Sequence, residues 1–134
     1  MEYPAVADPE LYLALYEEIN KLLPKDRIHS GICWTSDVYY VSEQNNMLDI
    51  WTKANVKCVE METSLLFVFA STRGLRAATI LACDGNLHTG QKSEQETADE
   101  KSGEQDPLTI EAVDKEIKAT VKAIDRQYAK HIFA

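Results

Sequence analysis

The chain has 134 residues, 45% hydrophobic and 27% charged, which is enough apolar material for one compact core. A formal charge of -8 and a pI near 4.8 exclude a surface for nucleic-acid polymers, whose phosphates are held by clustered Lys and Arg; neutral small molecules escape that objection. No apolar run approaches the roughly 20 residues that span a bilayer, and Met1-Glu2-Tyr3-Pro4 has neither the basic start nor the apolar centre of a leader, so a cytoplasmic protein without a membrane partner is expected.

Asp8 before Pro9 predicts a capped helix start, and Leu11, Leu15, Ile19 and Leu22 follow at helical spacing until Pro24 stops them. Arg27 to Trp34 is expected as a strand, with a turn or loop beginning at Thr35-Ser36-Asp37. Met47 to Lys53 predicts a short helix, Lys57 to Met61 a short strand, and Thr63 to Thr72 a helix with Gly74 at its left-handed cap. Ala77 to Cys83 is almost wholly apolar, the pattern of a central strand covered on both faces. Asp84-Gly85-Asn86 is expected to turn the chain, and residues 87–106 to form an acidic, mobile loop. After Asp106-Pro107, the residues Ile110, Val113, Ile117, Val121, Ile124 and Tyr128 draw one apolar stripe along a long final helix. Helices alternating with apolar strands indicate an α/β fold, a central mixed sheet flanked by helices, in a single domain over residues 1–134.

Cys33, Cys58 and Cys83 are odd in number, form no CxxC pair and fall in or beside predicted strands, so reduced, buried thiols are expected. His29 and His131 suit structural positions, whereas His88, after the Asp84 turn, stands either as a structural residue or within reach of a pocket. No His, Cys and carboxylate cluster has metal-ligand spacing and there is no GxSxG elbow, so no metal is expected.

The chemistry concentrates in Val59-Glu60-Met61-Glu62-Thr63-Ser64, followed by the apolar run Leu65 to Ala70 and by Arg73-Gly74-Leu75-Arg76-Ala77. Burying a carboxylate without a partner costs several kcal/mol. Glu60 and Glu62 at the start of an oily helix therefore suit a ligand whose hydroxyls they accept, such as ribose; the alternative is that both are helix N-terminal charges that favour the macrodipole. Tyr39 and Tyr40 offer either a stacking face for a base or packing between strand and helix. Asp84 is either a turn residue or a functional group at a strand end.

From Glu2 to about Asn86, and more loosely along the last helix, the chain resembles the second half of the nucleoside phosphorylase family, which includes the hexameric purine nucleoside phosphorylases and the uridine phosphorylases. Glu2-Tyr3-Pro4-Ala5-Val6-Ala7-Asp8 is similar to the segment that opens that half, Ser36-Asp37-Val38-Tyr39-Tyr40 to the base-binding loop, and Val59-Glu60-Met61-Glu62 to the ribose segment. The resemblance implies the phosphorylase/hydrolase-like fold. It also implies that Tyr39 stacks on the nucleobase with Val59 and Cys83 beside it. Glu62 would accept the ribose 2'- and 3'-hydroxyls, Met61 would pack on the sugar with Glu60 adjacent, and Asp84 would protonate a purine as the glycosidic bond breaks. Such an acid stabilises the leaving base while the sugar becomes oxocarbenium-like.

The implied reaction is phosphorolysis of a nucleoside to free base and ribose 1-phosphate, with inorganic phosphate as co-substrate and no cofactor. Where uridine phosphorylases read uracil with Gln and Arg, this chain has Glu43, Gln44 and Asn45, which favours purine nucleosides over uridine. The Arg that assists proton transfer in the purine branch is not matched, Lys92 and Lys101 being the nearby cations. Family members are longer, and their first half holds a Gly-rich phosphate loop; the scattered Gly31, Gly74, Gly85, Gly90 and Gly103 do not replace it. The expected partners are therefore other copies in a dimer-based homo-oligomer or an N-terminal half on another chain. The alternative is a shortened, inactive homologue that serves as a nucleoside-binding or assembly module.

Overall fold

The N–H groups at the start of a helix lack intrahelical acceptors, and Asp8 supplies one. Its carboxylate accepts from the N–H of Glu10 at 3.1 Å and of Leu11 at 2.9 Å, and α1 runs from there over Pro9–Ile19. The computed structural model describes residues 3–39, 47–89, 91–92 and 107–132. The chain divides into two compact units, the first Met1–Tyr12 with Lys25–Thr79 and the second Leu13–Pro24 with Ile80–Ala134.

In the first unit, a single 3-10 turn at Lys25–Arg27 precedes β1 (Cys33–Thr35), α2 (Leu48–Lys53), β2 (Cys58–Glu60) and α3 (Thr63–Ser71). The strands are parallel, pairing Cys33 with Cys58, Trp34 with Val59 and Thr35 with Glu60. Parallel strands need a crossover, and α2 lies within it. Trp51 on α2 stacks at a tilt on Trp34 of β1, ring centres 5.8 Å apart. The ladder is continued by Lys57 N–H to the Ile32 carbonyl and Ser36 N–H to the Glu60 carbonyl, both 2.8 Å. The expected strand from Arg27 to Trp34 is thus shortened to Cys33–Thr35, ending one residue later than expected.

α3 closes as its glycine predicts. Gly74 adopts φ +66°, which lets the Leu75 N–H return to the Ala70 carbonyl at 2.9 Å. Beyond it, the Arg76 guanidinium bridges the carboxylates of Asp8 at 3.0 Å and Glu10 at 3.1 Å, and the Ala77 carbonyl accepts from the Asp8 N–H at 2.7 Å. The hydrogen bond from Arg76 is the chief cause that holds the Asp8 carboxyl below its ordinary range. Ala77 to Cys83 forms no ladder among the described residues, contrary to the central strand expected there. Apolar composition reports burial, and Ala77 to Ile80 are indeed half-buried, but a strand also needs a hydrogen-bonded neighbour.

In the second unit, β3 (Gly85–Asn86) pairs antiparallel with β4 (Gln91–Lys92). The turn falls at Leu87–Thr89 rather than at Asp84–Asn86, since the Asn86 side chain accepts the N–H groups of His88 at 2.9 Å and Thr89 at 3.3 Å. Gln91 and Lys92, expected within the mobile loop, are therefore strand; residues 93–106 lie outside the described residues. α4 spans Pro107–Ile132. Its stripe of Ile110, Val113, Ile117, Val121, Ile124 and Tyr128 is exposed, while Ala119 and Ala123, at 0% and 1% exposure, and Gln127 form the buried face. Arg126 of α4 pairs with Glu17 of α1 and lies 3.8 Å from Glu18. Short side chains let backbones approach closely, so the alanine face is buried where the branched one is not.

Two substitutions test these closures by urea denaturation. Gly74→Ala places a side chain at positive φ in open space, so it should cost about 1–2 kcal/mol through backbone strain alone. Asp8→Ala should cost about 1–2 kcal/mol, with Asp8→Asn recovering most of the cap but not the Arg76 pair.

Candidate functional site

β2 ends at Glu60 and α3 begins at Thr63, so Met61 and Glu62 form the corner between them. Glu60 reaches forward across this corner. Its Oε2 accepts the N–H of Glu62 at 2.6 Å and of Thr63 at 2.5 Å, and its Oε1 accepts the Thr35 hydroxyl. The Thr35 oxygen in turn accepts the Ser64 N–H at 3.0 Å. One carboxylate thus ties the end of β1 to the first turn of α3. Burial alone raises the Glu60 pKa, but hydrogen bonds from the Thr35 and Thr63 side chains and from the backbone of Glu62 and Thr63 prevail and hold it below the ordinary 4.5.

Because β1 and β2 are parallel and in register, both strand ends lie at one edge. Open α/β sheets present ligands at this edge, outside the carboxyl ends of their strands. Beyond β1, buried Ser36 folds the chain into a tight turn, its hydroxyl donating to the Val38 carbonyl at 2.9 Å and accepting the Val38 N–H at 3.3 Å. This turn leads to Tyr39, which is 67% exposed. Beyond β2 come exposed Met61 and Glu62. Glu62 is the residue before α3, with φ −132° and no side-chain capping bond. An ionised carboxylate has two acceptor oxygens, the complement of a vicinal diol, and the Met61 thioether beside it offers an apolar surface.

The first unit therefore gathers Tyr39, Val59, Glu60, Met61 and Glu62 at or beside the ends of two paired strands. Asp84 and Cys83 belong to the second unit, where both are exposed and the Cys83 thiol donates to the Gly85 carbonyl at 3.0 Å. Tyr40, Glu43, Gln44, Asn45 and Lys101 lie outside the described residues. Thr35 was not singled out in the sequence, because its partner Glu60 lies 25 residues away and the strand pairing that joins them leaves no local signal. The cysteines depart from expectation, since Cys58 and Cys83 are exposed and Cys33 only half-buried. His29 is exposed and outside any strand. A separate cleft of about 250 Å³ lies between Val6–Pro9 and Phe67, Ala70 and Ser71, and none of the sequence-chosen residues lines it.

A family model described as the phosphorylase superfamily matches residues 1–124. The chain is 38% identical over 101 residues to a guanosine phosphorylase of Halorubrum lacusprofundi, a match covering 75% of this chain and 40% of that protein. It is 34% identical over 113 residues to a uridine phosphorylase of Thermococcus kodakarensis, covering 73% and 40%. It is 30% identical over 112 residues to a DeoD-type purine nucleoside phosphorylase of Geobacillus kaustophilus, covering 83% and 45%. The chain thus spans less than half the length of these relatives.

Since hydrogen bonding depresses the Glu60 pKa, its contribution to stability is complete above the ordinary 4.5 and is lost as pH falls through the lower folded value. Urea midpoints measured from about pH 7 down to about pH 3 should therefore fall less steeply for Glu60→Gln than for the parent protein. At neutral pH Glu60→Ala should cost about 1–2 kcal/mol, the usual loss for a removed cap.

Proposed function

Because this chain belongs to the phosphorylase superfamily, we propose that it supplies the nucleoside-binding part of a nucleoside phosphorylase, which converts a nucleoside and inorganic phosphate to free base and ribose 1-phosphate. The observation that carries this reading is the division of work at the strand edge. Glu60 is spent on capping α3, and exposed Glu62 stands next to it without a capping bond. In the proposal Glu62 accepts the ribose 2'- and 3'-hydroxyls and Met61 packs on the sugar. Tyr39 covers the base, with Val59 contributing to its surroundings.

Holding the diol orients C1 of the sugar for attack, and displacement of the base moves positive charge onto the ring as negative charge develops on the leaving group. A purine leaves more easily when an acid protonates it. Phosphate is bound by groups outside these nucleoside elements. The exposed apolar stripe of α4, from Ile110 to Tyr128, supports such assembly, since contiguous apolar surface commonly marks a contact.

A second reading, a nucleoside-binding or assembly module without turnover, is favoured by the exposed apolar stripe of α4. Incubation with inosine, guanosine, adenosine and uridine, with and without phosphate, separates the two. Phosphate-dependent release of base supports the enzyme, and saturable binding without release supports the module. In either case Glu62→Gln should weaken nucleoside binding about tenfold, the loss of a charge-assisted hydrogen bond of about 1.5–3 kcal/mol partly replaced by a neutral one. Unchanged affinity would remove Glu62 from the sugar site.

A further inference from the structure

The two parallel strands that carry Thr35 and Glu60 also hold two thiols side by side. Cys33 and Cys58 are register partners, and their Sγ atoms are 2.9 Å apart. Residues two apart on a strand share a face, so the thiol pair occupies the rung next to Thr35 and Glu60 on the same side of the ribbon. Neighbouring strands lie about 4.7–4.9 Å apart, within the separation of about 4.4–6.8 Å between α-carbons that a disulfide requires. Both cysteines are free, Cys58 exposed and Cys33 half-buried.

We infer that Cys33 and Cys58 form a reversible disulfide by exchange with a small-molecule disulfide, clamping β1 to β2 beside the Glu60 corner. Cys58 is the thiol that solvent reaches first. Having given its proton to water, the Cys58 thiolate attacks one sulfur of the small disulfide, and the other sulfur leaves as a thiolate. Cys33 then loses its proton and attacks the Cys58 sulfur, expelling the second half of the reagent as a thiolate. Two protein thiols are oxidised to one disulfide while the small disulfide is reduced to two thiols. Burial first, then the neighbouring Cys58 and Glu60, push the Cys33 thiol up to about 12, so the closing step is the slower one. Cys83 is the register partner of neither, and its thiol donates to the Gly85 carbonyl.

This inference goes beyond the nucleoside reading and is tested without it. The full chain is equilibrated in buffers of oxidised and reduced glutathione, quenched with acid, alkylated and cleaved after lysine and arginine, which parts Cys33 from Cys58 at Lys53 and Lys57 and Cys58 from Cys83 at Arg73 and Arg76. Mass spectrometry should find the Cys33 and Cys58 peptides joined with the loss of two hydrogen masses, in the parent protein and in Cys83→Ser alike, and released by dithiothreitol. Cys33→Ser should instead accumulate glutathione on Cys58. The joined form should melt several degrees above the reduced form, because a closed loop restricts the unfolded chain. Full alkylation of both cysteines in the oxidising buffer, a glutathione adduct on Cys58 of the parent that never closes, or a dominant link to Cys83 would each overturn it. Since the readout is mass, failure of nucleoside binding leaves the result untouched.

Discussion

The carboxylate of Glu60 is the interaction on which the candidate site depends. It accepts from the backbone of Glu62 and Thr63 and from the Thr35 hydroxyl, so one ionised group satisfies the start of α3 and fastens it to β1. Helix starts and strand ends both leave polar backbone groups that must find partners. A single acid placed between them meets both needs, and these hydrogen bonds favour its ionised form. Adjacent carboxylates consequently do different work: Glu60 faces the fold, and exposed Glu62 presents its charge to whatever approaches the edge.

The edge itself comes from the crossover. A parallel pair such as β1 and β2 must return its chain through a connection, here containing α2, and this brings both carboxyl ends to one side. The Ser36 turn and the Met61–Glu62 corner follow directly from those ends. The same register that aligns Thr35 with Glu60 aligns Cys33 with Cys58, so the structural acid and the thiol pair are consequences of one alignment. Large apolar side chains contribute little to the buried interior of the described residues, whose buried hydrophobics are Ala14, Ile19, Ala70, Ala119 and Ala123. Much of the branched and aromatic surface, including the α4 stripe, remains exposed.

Elements with a local cause were legible in the sequence. Asp8-Pro9 marked the start of α1 and Gly74 the close of α3, since each rests on contacts within a few residues, and Pro107 marked the start of the last helix, where its fixed φ suits the first helical position. Val59 to Glu62 stood out because acids beside an oily run are costly unless partnered, and the family assignment agrees with the resemblance found there. Errors gathered where composition was made to stand for pairing. Ala77 to Cys83 is apolar without being a strand among the described residues, and the turn after Asp84 moved because the Asn86 side chain chose its own backbone partners.

By itself, then, the sequence determined the helix starts, the Gly74 close of α3 and the position of the acidic corner, because these are set by neighbouring residues and by backbone geometry, whereas α1 ends at Ile19, short of the stop expected at Pro24. Only the tertiary structure decided which acid serves the fold, which face of α4 is buried and which cysteines meet. Those outcomes depend on residues distant along the chain, as in Thr35 reaching Glu60, Cys33 facing Cys58 and Arg126 pairing with Glu17. Periodicity reports that a helix has a face and a strand has two sides; what lies opposite is set by register and packing, which no local pattern encodes.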